Sequence, residues 1–187
     1  SRVGLLDIFQ ATFLVAGVAA VAADRDWFRH HLADEIRQRG QLSLAGRFGP
    51  RLWWRPWRLV AGIMLGAACA VKWNSMFVLA TMGIVSVAWD VSARRLAGAG
   101  RAAWWSILKD GVPAFLYLVL VGAVTYLASW GRWLSSYSTM TFGKGWGGPH
   151  ADPGLAKVVG TPLAALWDYD VQMYNFHTGD YMMHQTH

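Results

Sequence analysis

The stretch Leu59-Val-Ala-Gly-Ile-Met-Leu-Gly-Ala-Ala-Cys-Ala-Val71-Lys72-Trp73-Asn74-Ser75-Met-Phe-Val-Leu-Ala-Thr-Met-Gly-Ile-Val-Ser-Val-Ala-Trp89 carries one charged side chain, Lys72, in the middle of an apolar run. A charge at the centre of a membrane helix costs roughly 2.5 to 3.5 kcal/mol on insertion scales, so this lysine needs a partner, a watery cavity or a chemical task. Two readings of the stretch are open. It is either a helical hairpin turning at Lys72-Trp73-Asn74, or one tilted helix whose lysine snorkels or pairs with a neighbour.

The flanking charges favour the hairpin. Asp24 to Arg58 holds eight arginines against four acids, and Asp90 to Asp110 holds Arg94, Arg95, Arg101 and Lys109 against two. Basic loops stay on the cytoplasmic side, so both segments are expected there. Two inside loops require an even number of crossings between them, so Leu59–Trp89 must enter and return. Its first leg, Leu59–Val71, reaches only about 20 Å at ~1.5 Å per residue. Legs this short are tolerated where the turn lines a protein cavity rather than lipid. Lys72 is then expected in the outer leaflet, facing a polar cavity open to the outside.

Composition agrees with a membrane protein. The chain is 55% hydrophobic, with 12 Trp in 187 residues, and its apolar residues fall in long runs rather than at a period of 2 or 3.6. The expected fold class is an all-α polytopic membrane protein. Its order is a transmembrane helix 3–23, a cytoplasmic loop 24–58, the hairpin 59–89, a cytoplasmic loop 90–107, a transmembrane helix 108–129 and an external loop 130–187. The sequence reads as a single internal fragment of a membrane domain. The single Cys69 excludes an intrachain disulfide. The net charge of +6 is accounted for by the loops, and no nucleic-acid partner is expected.

The remaining features sort by chemistry. Trp53-Trp54-Arg55-Pro56-Trp57-Arg58 reads as an interfacial anchor of indoles and guanidinium groups. His30-His31 lacks ligand spacing and reads as solvated or facing headgroups. In the external segment, the glycines of Tyr137 to His150 do not match a phosphate-cradling loop and read as plain loop. Pro162 to Phe176 resumes a helical pattern, with Leu163, Leu166, Trp167, Val171, Tyr174 and Asn175 or Phe176 along one side, and is expected to lie at the outer interface. The spacings of His177, His184 and His187 fit no zinc pattern, so no metal and no cofactor are expected.

The order of three motifs resembles a known family. Ser1-Arg2-x-x-Leu5-Leu6-Asp7-x-Phe9 opens a membrane helix, Gly62-x-x-x-Gly66 followed by Lys72-Trp73 marks the hairpin, and Phe176-His177 with His184 lies outside. Together they resemble the protein O-mannosyltransferases, polyprenyl-phosphate-mannose-dependent membrane enzymes of the GT-C glycosyltransferase class. The Trp and Arg usage and the lack of an inserted soluble domain look like the bacterial, actinobacterial-type members.

The resemblance implies a GT-C-like helical bundle in the plasma membrane with an extracytoplasmic active face. It implies transfer of mannose from polyprenyl-phosphate-mannose to Ser or Thr of a secreted polypeptide, with inversion. The family's general base sits in a first external loop, expected upstream of Ser1, so no catalytic residue is assigned here. The chain is expected to supply the donor side. Lys72 and Arg2 would bind the carrier phosphate, and Asp7, Trp73, His177 and His184 would line the cavity. The competing readings are a transporter with a charged midplane site, another lipid-linked-sugar glycosyltransferase, and a structural membrane subunit in which Lys72 is simply ion-paired.

Overall fold

The computed structural model describes the backbone of residues 3–137 and 152–178, and the side chains of residues 6–137 and 152–175. Arg2, His177 and His184, with the loop read at 138–150, fall outside the described side chains. Among the described residues the chain is helical, with no strand. It divides into two units, residues 1–126 and 127–187.

In the first unit, α1 (Val3–Gln38) is followed by α2 (Pro56–Val71) and α3 (Ser75–Arg94). The hydropathy of α1 falls at Ala23, yet the helix continues to Gln38, because its polar half still buries Phe28, Leu32 and Ile36 against Leu44, Val91 and Ala99. Helix α2 starts at Pro56, whose missing N–H costs nothing in a first turn. It ends where Lys72 adopts an extended backbone, φ −145° and ψ 126°. The stretch around Lys72 is therefore broken rather than one continuous helix. Asp90, late in α3, bonds Arg55 and Arg58 at the start of α2, so the two helices run antiparallel about a turn at residues 72–74.

Helix α1 packs along this hairpin through one seam. Residues 7, 10, 14, 17, 21 and 24 alternate spacings of three and four, which keeps them on one face. The middle of the seam is apolar: Leu14 and Val21 join Ala61, Leu65 and Leu118 in a core cluster, and a Cβ on Gly17 would stand 2.7 Å from Leu65. Its ends are polar, with Asp7 and Gln10 at one and Asp24 at the other. Between Asp7 and Asp24 the helix rises about 25 Å at ~1.5 Å per residue, comparable to most of a bilayer's hydrocarbon core.

The chain then reverses through Gly98, at φ 90°, a conformation that favours glycine. It returns as a fourth leg built from α4 (Ser106–Lys109), α5 (Gly111–Ala114), a π-helical turn Phe115–Leu120 and α6 (Val121–Ser129). Pro113 lies just ahead of the π turn, where its missing N–H interrupts regular bonding. This leg packs against α2 where two glycines of α2 leave room for its backbone. A Cβ on Gly62 would stand 1.9 Å from the Tyr117 carbonyl oxygen, and one on Gly66 would stand 2.5 Å from that of Gly122. The Gly62-x-x-x-Gly66 spacing thus brings backbone onto backbone, as small-residue pairs do between membrane helices.

Among the described residues two helical stretches, Leu6–Gln38 and Ser75–Ser129, are long and apolar enough to cross a membrane, and Pro56–Val71 is a shorter apolar helix.

The second unit contains α7 (Gly131–Ser136), α8 (Pro153–Val159) and α9 (Thr161–Thr178). Asp152 caps α8 by accepting from the N–H groups of Gly154 at 2.6 Å and Leu155 at 3.2 Å. Trp130 meets Trp133 and Tyr169 edge to face, each at 5.6 Å. Along α9, Leu163, Trp167, Val171 and Tyr174 form an exposed stripe, whereas Leu166 is buried with Ala164 and Ala165. Leu166 therefore departs from the side assigned to it by the sequence pattern, because it lies about 140° from Val171 around the helix, off the far edge of the exposed stripe.

Candidate functional site

Lys72 stands at the hairpin turn, the last residue of α2 having ended one position earlier. Its backbone N–H still bonds the Ala68 carbonyl at 3.0 Å, and its own carbonyl accepts from Ser75 at 3.1 Å. The extended backbone lifts the side chain out of the helical path. Its ammonium meets the carboxylate of Asp7, from the first described turns of α1, in an ion pair. The pair is open: the side chains are 43% and 52% exposed. Asp7, read from the sequence as a cavity-lining residue, lies against Lys72.

Three residues along α1, on the same face, Gln10 reaches the other side of the turn. Its Nε2 donates to Asn74 Oδ1 at 2.7 Å and to Ser75 Oγ at 2.9 Å. Ser75 is buried. Trp73 stands between these contacts, half-buried, with its ring edge-on to Phe77 at 6.2 Å. One turn of α1 thus grips residues 72, 74 and 75 together. The sequence reading singled out Lys72, Trp73 and Asp7 but passed over Gln10, Asn74 and Ser75. The available signal was the spacing of three from Asp7 to Gln10, which puts both side chains on one helical face.

The opposite end of the same helices holds a second charged cluster, fully buried. Arg55 bonds Asp24 in a two-pronged contact, Nε to Oδ1 at 2.9 Å and Nη2 to Oδ2 at 2.6 Å, and also reaches Asp90 Oδ1 at 3.1 Å. Arg58 bonds Asp24 Oδ2 at 2.9 Å and Asp90 Oδ2 at 3.0 Å. All four side chains are 1–2% exposed. The Arg55 guanidinium also lies 4.2 Å from the Phe28 ring centre. Beside this quartet, Arg94 clasps Asp110 through two bonds and donates to the carbonyls of Phe48 and Pro50, each at 2.9 Å.

The reading of Arg55 and Arg58 as headgroup anchors is therefore corrected. Both are interior residues that cross-link α1, α2 and α3, drawn inward because Asp24 and Asp90 neutralise them. Trp53, Trp54 and Trp57 remain exposed, as interfacial indoles are. Nearby, His31 stacks on Trp27 at 3.7 Å, and His30 contacts the Asp26 carbonyl. Among the described residues no group of three His, Cys, Asp or Glu is placed to hold a metal ion.

The two charged ends offer different chemistry. The quartet balances two guanidinium groups with two carboxylates inside protein, so it has no free charge to lend. The Lys72 end has an ammonium tied by one open carboxylate, on a turn whose geometry is set by a neighbouring amide. Such a cation can exchange its partner for another anion.

Comparisons with known proteins bear on which anion. The chain is 33% identical over 190 residues to the polyprenol-phosphate-mannose–protein mannosyltransferase of Mycobacterium tuberculosis, an alignment covering 96% of the chain and 34% of the relative. It is 30% identical over 177 residues to the protein of that name from Corynebacterium glutamicum, covering 95% and 34%. The corresponding protein of Mycolicibacterium smegmatis is 31% identical over 178 residues, again covering 95% and 34%. No family model matches the chain, and no solved structure matches it. The chain spans about a third of the length of the curated relatives it matches. Over about 95% of its own length it is a homologue of the actinobacterial polyprenol-phosphate-mannose–protein mannosyltransferases.

Proposed function

We propose that this chain forms the donor-phosphate side of a membrane mannosyltransferase, with Lys72 as the cation that receives the phosphate of polyprenyl-phosphate-mannose. The observation that carries the reading is the placement of Lys72. It stands on a turn between two apolar helices, countered by one open carboxylate, in a chain homologous to enzymes whose names specify a phosphate-linked mannose donor.

The chemistry explains why a cation belongs there. In the transfer, the bond from the mannose anomeric carbon to the phosphate oxygen breaks, and a bond to the acceptor Ser or Thr oxygen forms. The hydroxyl proton passes to a general base, expected from the family resemblance to lie upstream of Ser1, and polyprenyl phosphate departs. The leaving phosphate gains negative charge as the bond breaks, so a fixed ammonium beside it stabilises the transition state more than the ground state. In this reading attack comes from the face opposite the phosphate, which gives inversion. Trp73 packs beside the sugar or phosphate, and Arg2, His177 and His184 remain the further donor-side residues that the family resemblance implies. The polar turn faces the extracytoplasmic side of the plasma membrane, and neither a metal nor a cofactor enters the reaction.

The test uses the complete protein in membranes, wild type and Lys72→Ala matched for amount, with radiolabelled polyprenyl-phosphate-mannose and an acceptor peptide. Transfer by wild type and its loss in a normally folded variant is the expected outcome. Absence of transfer by the wild type sinks the substrate assignment and turns attention to another lipid-linked sugar or to transport. Full activity of Lys72→Ala leaves the enzyme in place and removes Lys72 from its chemistry.

A further inference from the structure

An ammonium on a lysine stem is a poorly located charge. Four rotatable bonds separate it from the backbone, and Lys72 sits outside the regular part of either helix, at an extended residue. The Asp7 carboxylate holds it in the described state, but a phosphate arriving at the ammonium competes with that carboxylate. The placement of the charge then depends on how firmly the turn itself is held.

The contacts around the turn identify a holder. Gln10 donates from one amide nitrogen to both Asn74 Oδ1, at 2.7 Å, and Ser75 Oγ, at 2.9 Å. Ser75 is buried, so the bond to its hydroxyl is shielded from competing solvent. Asn74 and Ser75 follow Lys72 by two and three residues, and Ser75 N–H bonds the Lys72 carbonyl at 3.1 Å. A link therefore runs from α1 through the Gln10 amide and Ser75 to the Lys72 backbone, and it involves none of the atoms that a phosphate would contest. Asp7 and Gln10 share a face of α1 but divide the work: one meets the charge, the other the backbone that carries it.

We propose that Gln10 is a positioning residue for the Lys72 ammonium, fixing the 72–75 turn so that the charge stays aligned with the donor phosphate once Asp7 is displaced. This rests on the donor-phosphate reading of Lys72. Small misplacements of a catalytic charge lower rates steeply, so loosening the turn acts on the donor side of the kinetics and not on the acceptor side.

The experiment compares wild type, Gln10→Met and Lys72→Ala in the complete protein, with KM and kcat measured separately for polyprenyl-phosphate-mannose and for an acceptor peptide. Methionine keeps the length and helix preference of glutamine and removes both hydrogen bonds. The expected result for Gln10→Met is a fall of about tenfold in kcat/KM for the donor, equivalent to about 1.4 kcal/mol, with the acceptor KM unchanged and the thermal unfolding midpoint lowered by no more than a few degrees, well above the assay temperature. Ser75→Ala, which removes one of the two acceptors, is expected to give a smaller fall of the same kind and serves where Gln10→Met does not accumulate. Wild-type donor kinetics in Gln10→Met, with Lys72→Ala inactive, overturns the proposal and leaves the donor reading intact. A loss explained by unfolding at the assay temperature, or one that falls equally on the acceptor, also overturns it. Full activity of Lys72→Ala removes the donor reading itself, and the positioning role with it.

Discussion

The two ends of the α1–α2–α3 bundle both join α1 to the hairpin through charge, yet they are built differently. At one end Arg55 and Arg58 are locked between Asp24 and Asp90 with side chains 1–2% exposed, while at the other Lys72 and Asp7 meet with side chains 43% and 52% exposed. Removing one partner from a buried ion cluster leaves an uncompensated charge in low dielectric, at a cost of about 3–5 kcal/mol. Removing one partner of an open pair costs ~0–1 kcal/mol. The closed cluster is therefore architecture, and the open pair can give up its partner to a ligand without loss of the fold.

The largest effect expected is at the closed end. Arg58→Ala leaves Arg55 as the one guanidinium of the quartet between the two buried carboxylates of Asp24 and Asp90, so one negative charge is uncompensated, and it is predicted to destabilise the bundle by about 3–5 kcal/mol, seen as loss of folded protein or a sharp fall in the unfolding midpoint. Arg58→Lys is expected to recover little of this, since an ammonium cannot reproduce the fork that spans two carboxylates. Normal accumulation of Arg58→Ala would remove the contrast between the two ends.

Next in size is the contact that holds the fourth leg to α2. Alanine at Gly62 puts a Cβ where the Tyr117 carbonyl oxygen now stands, and the resulting overpacking is predicted to cost about 1–3 kcal/mol. Thermal unfolding of Gly62→Ala checks this, and an unchanged midpoint would show that the two backbones are not in close contact.

The smallest effect expected lies at the open end. On the proposed donor reading, Asp7→Asn removes the carboxylate that would compete with phosphate for Lys72 while keeping the shape of the side chain. The predicted outcome is an unfolding midpoint close to wild type and a donor KM lowered about threefold, about 0.7 kcal/mol. A raised donor KM would mean that Asp7 orients Lys72 for the phosphate rather than competing with it.

Much of this molecule was legible in its sequence because membrane helices are announced by long apolar runs, and charges within them stand out. Lys72 interrupts such a run, and the basic segments on either side implied a reversal of direction at that point. Gly62 and Gly66 were visible only as a motif ahead of Lys72-Trp73, and it is the folded chain that shows them meeting the backbone of Tyr117 and Gly122. Arg55 and Arg58 misled because a sequence shows a guanidinium beside indoles without showing the carboxylates that neutralise it. Asp24 is more than thirty positions before them and Asp90 more than thirty after, so only the folded hairpin brings the four together. Gln10 was fainter for a related reason: its spacing of three from Asp7 puts it on the same helical face, but its role shows once its amide is seen to meet Asn74 and Ser75.

The central claim is that Lys72 holds the donor phosphate, and binding tests it more directly than turnover. The measurement is the equilibrium affinity of the complete, purified protein for polyprenyl phosphate, compared between wild type and Lys72→Ala with unfolding midpoints recorded on the same samples. The account predicts affinity weakened at least about tenfold in Lys72→Ala, some 1.4 kcal/mol, at an unchanged midpoint. Equal affinity in the two proteins would contradict it and leave Lys72 as the structural partner of Asp7.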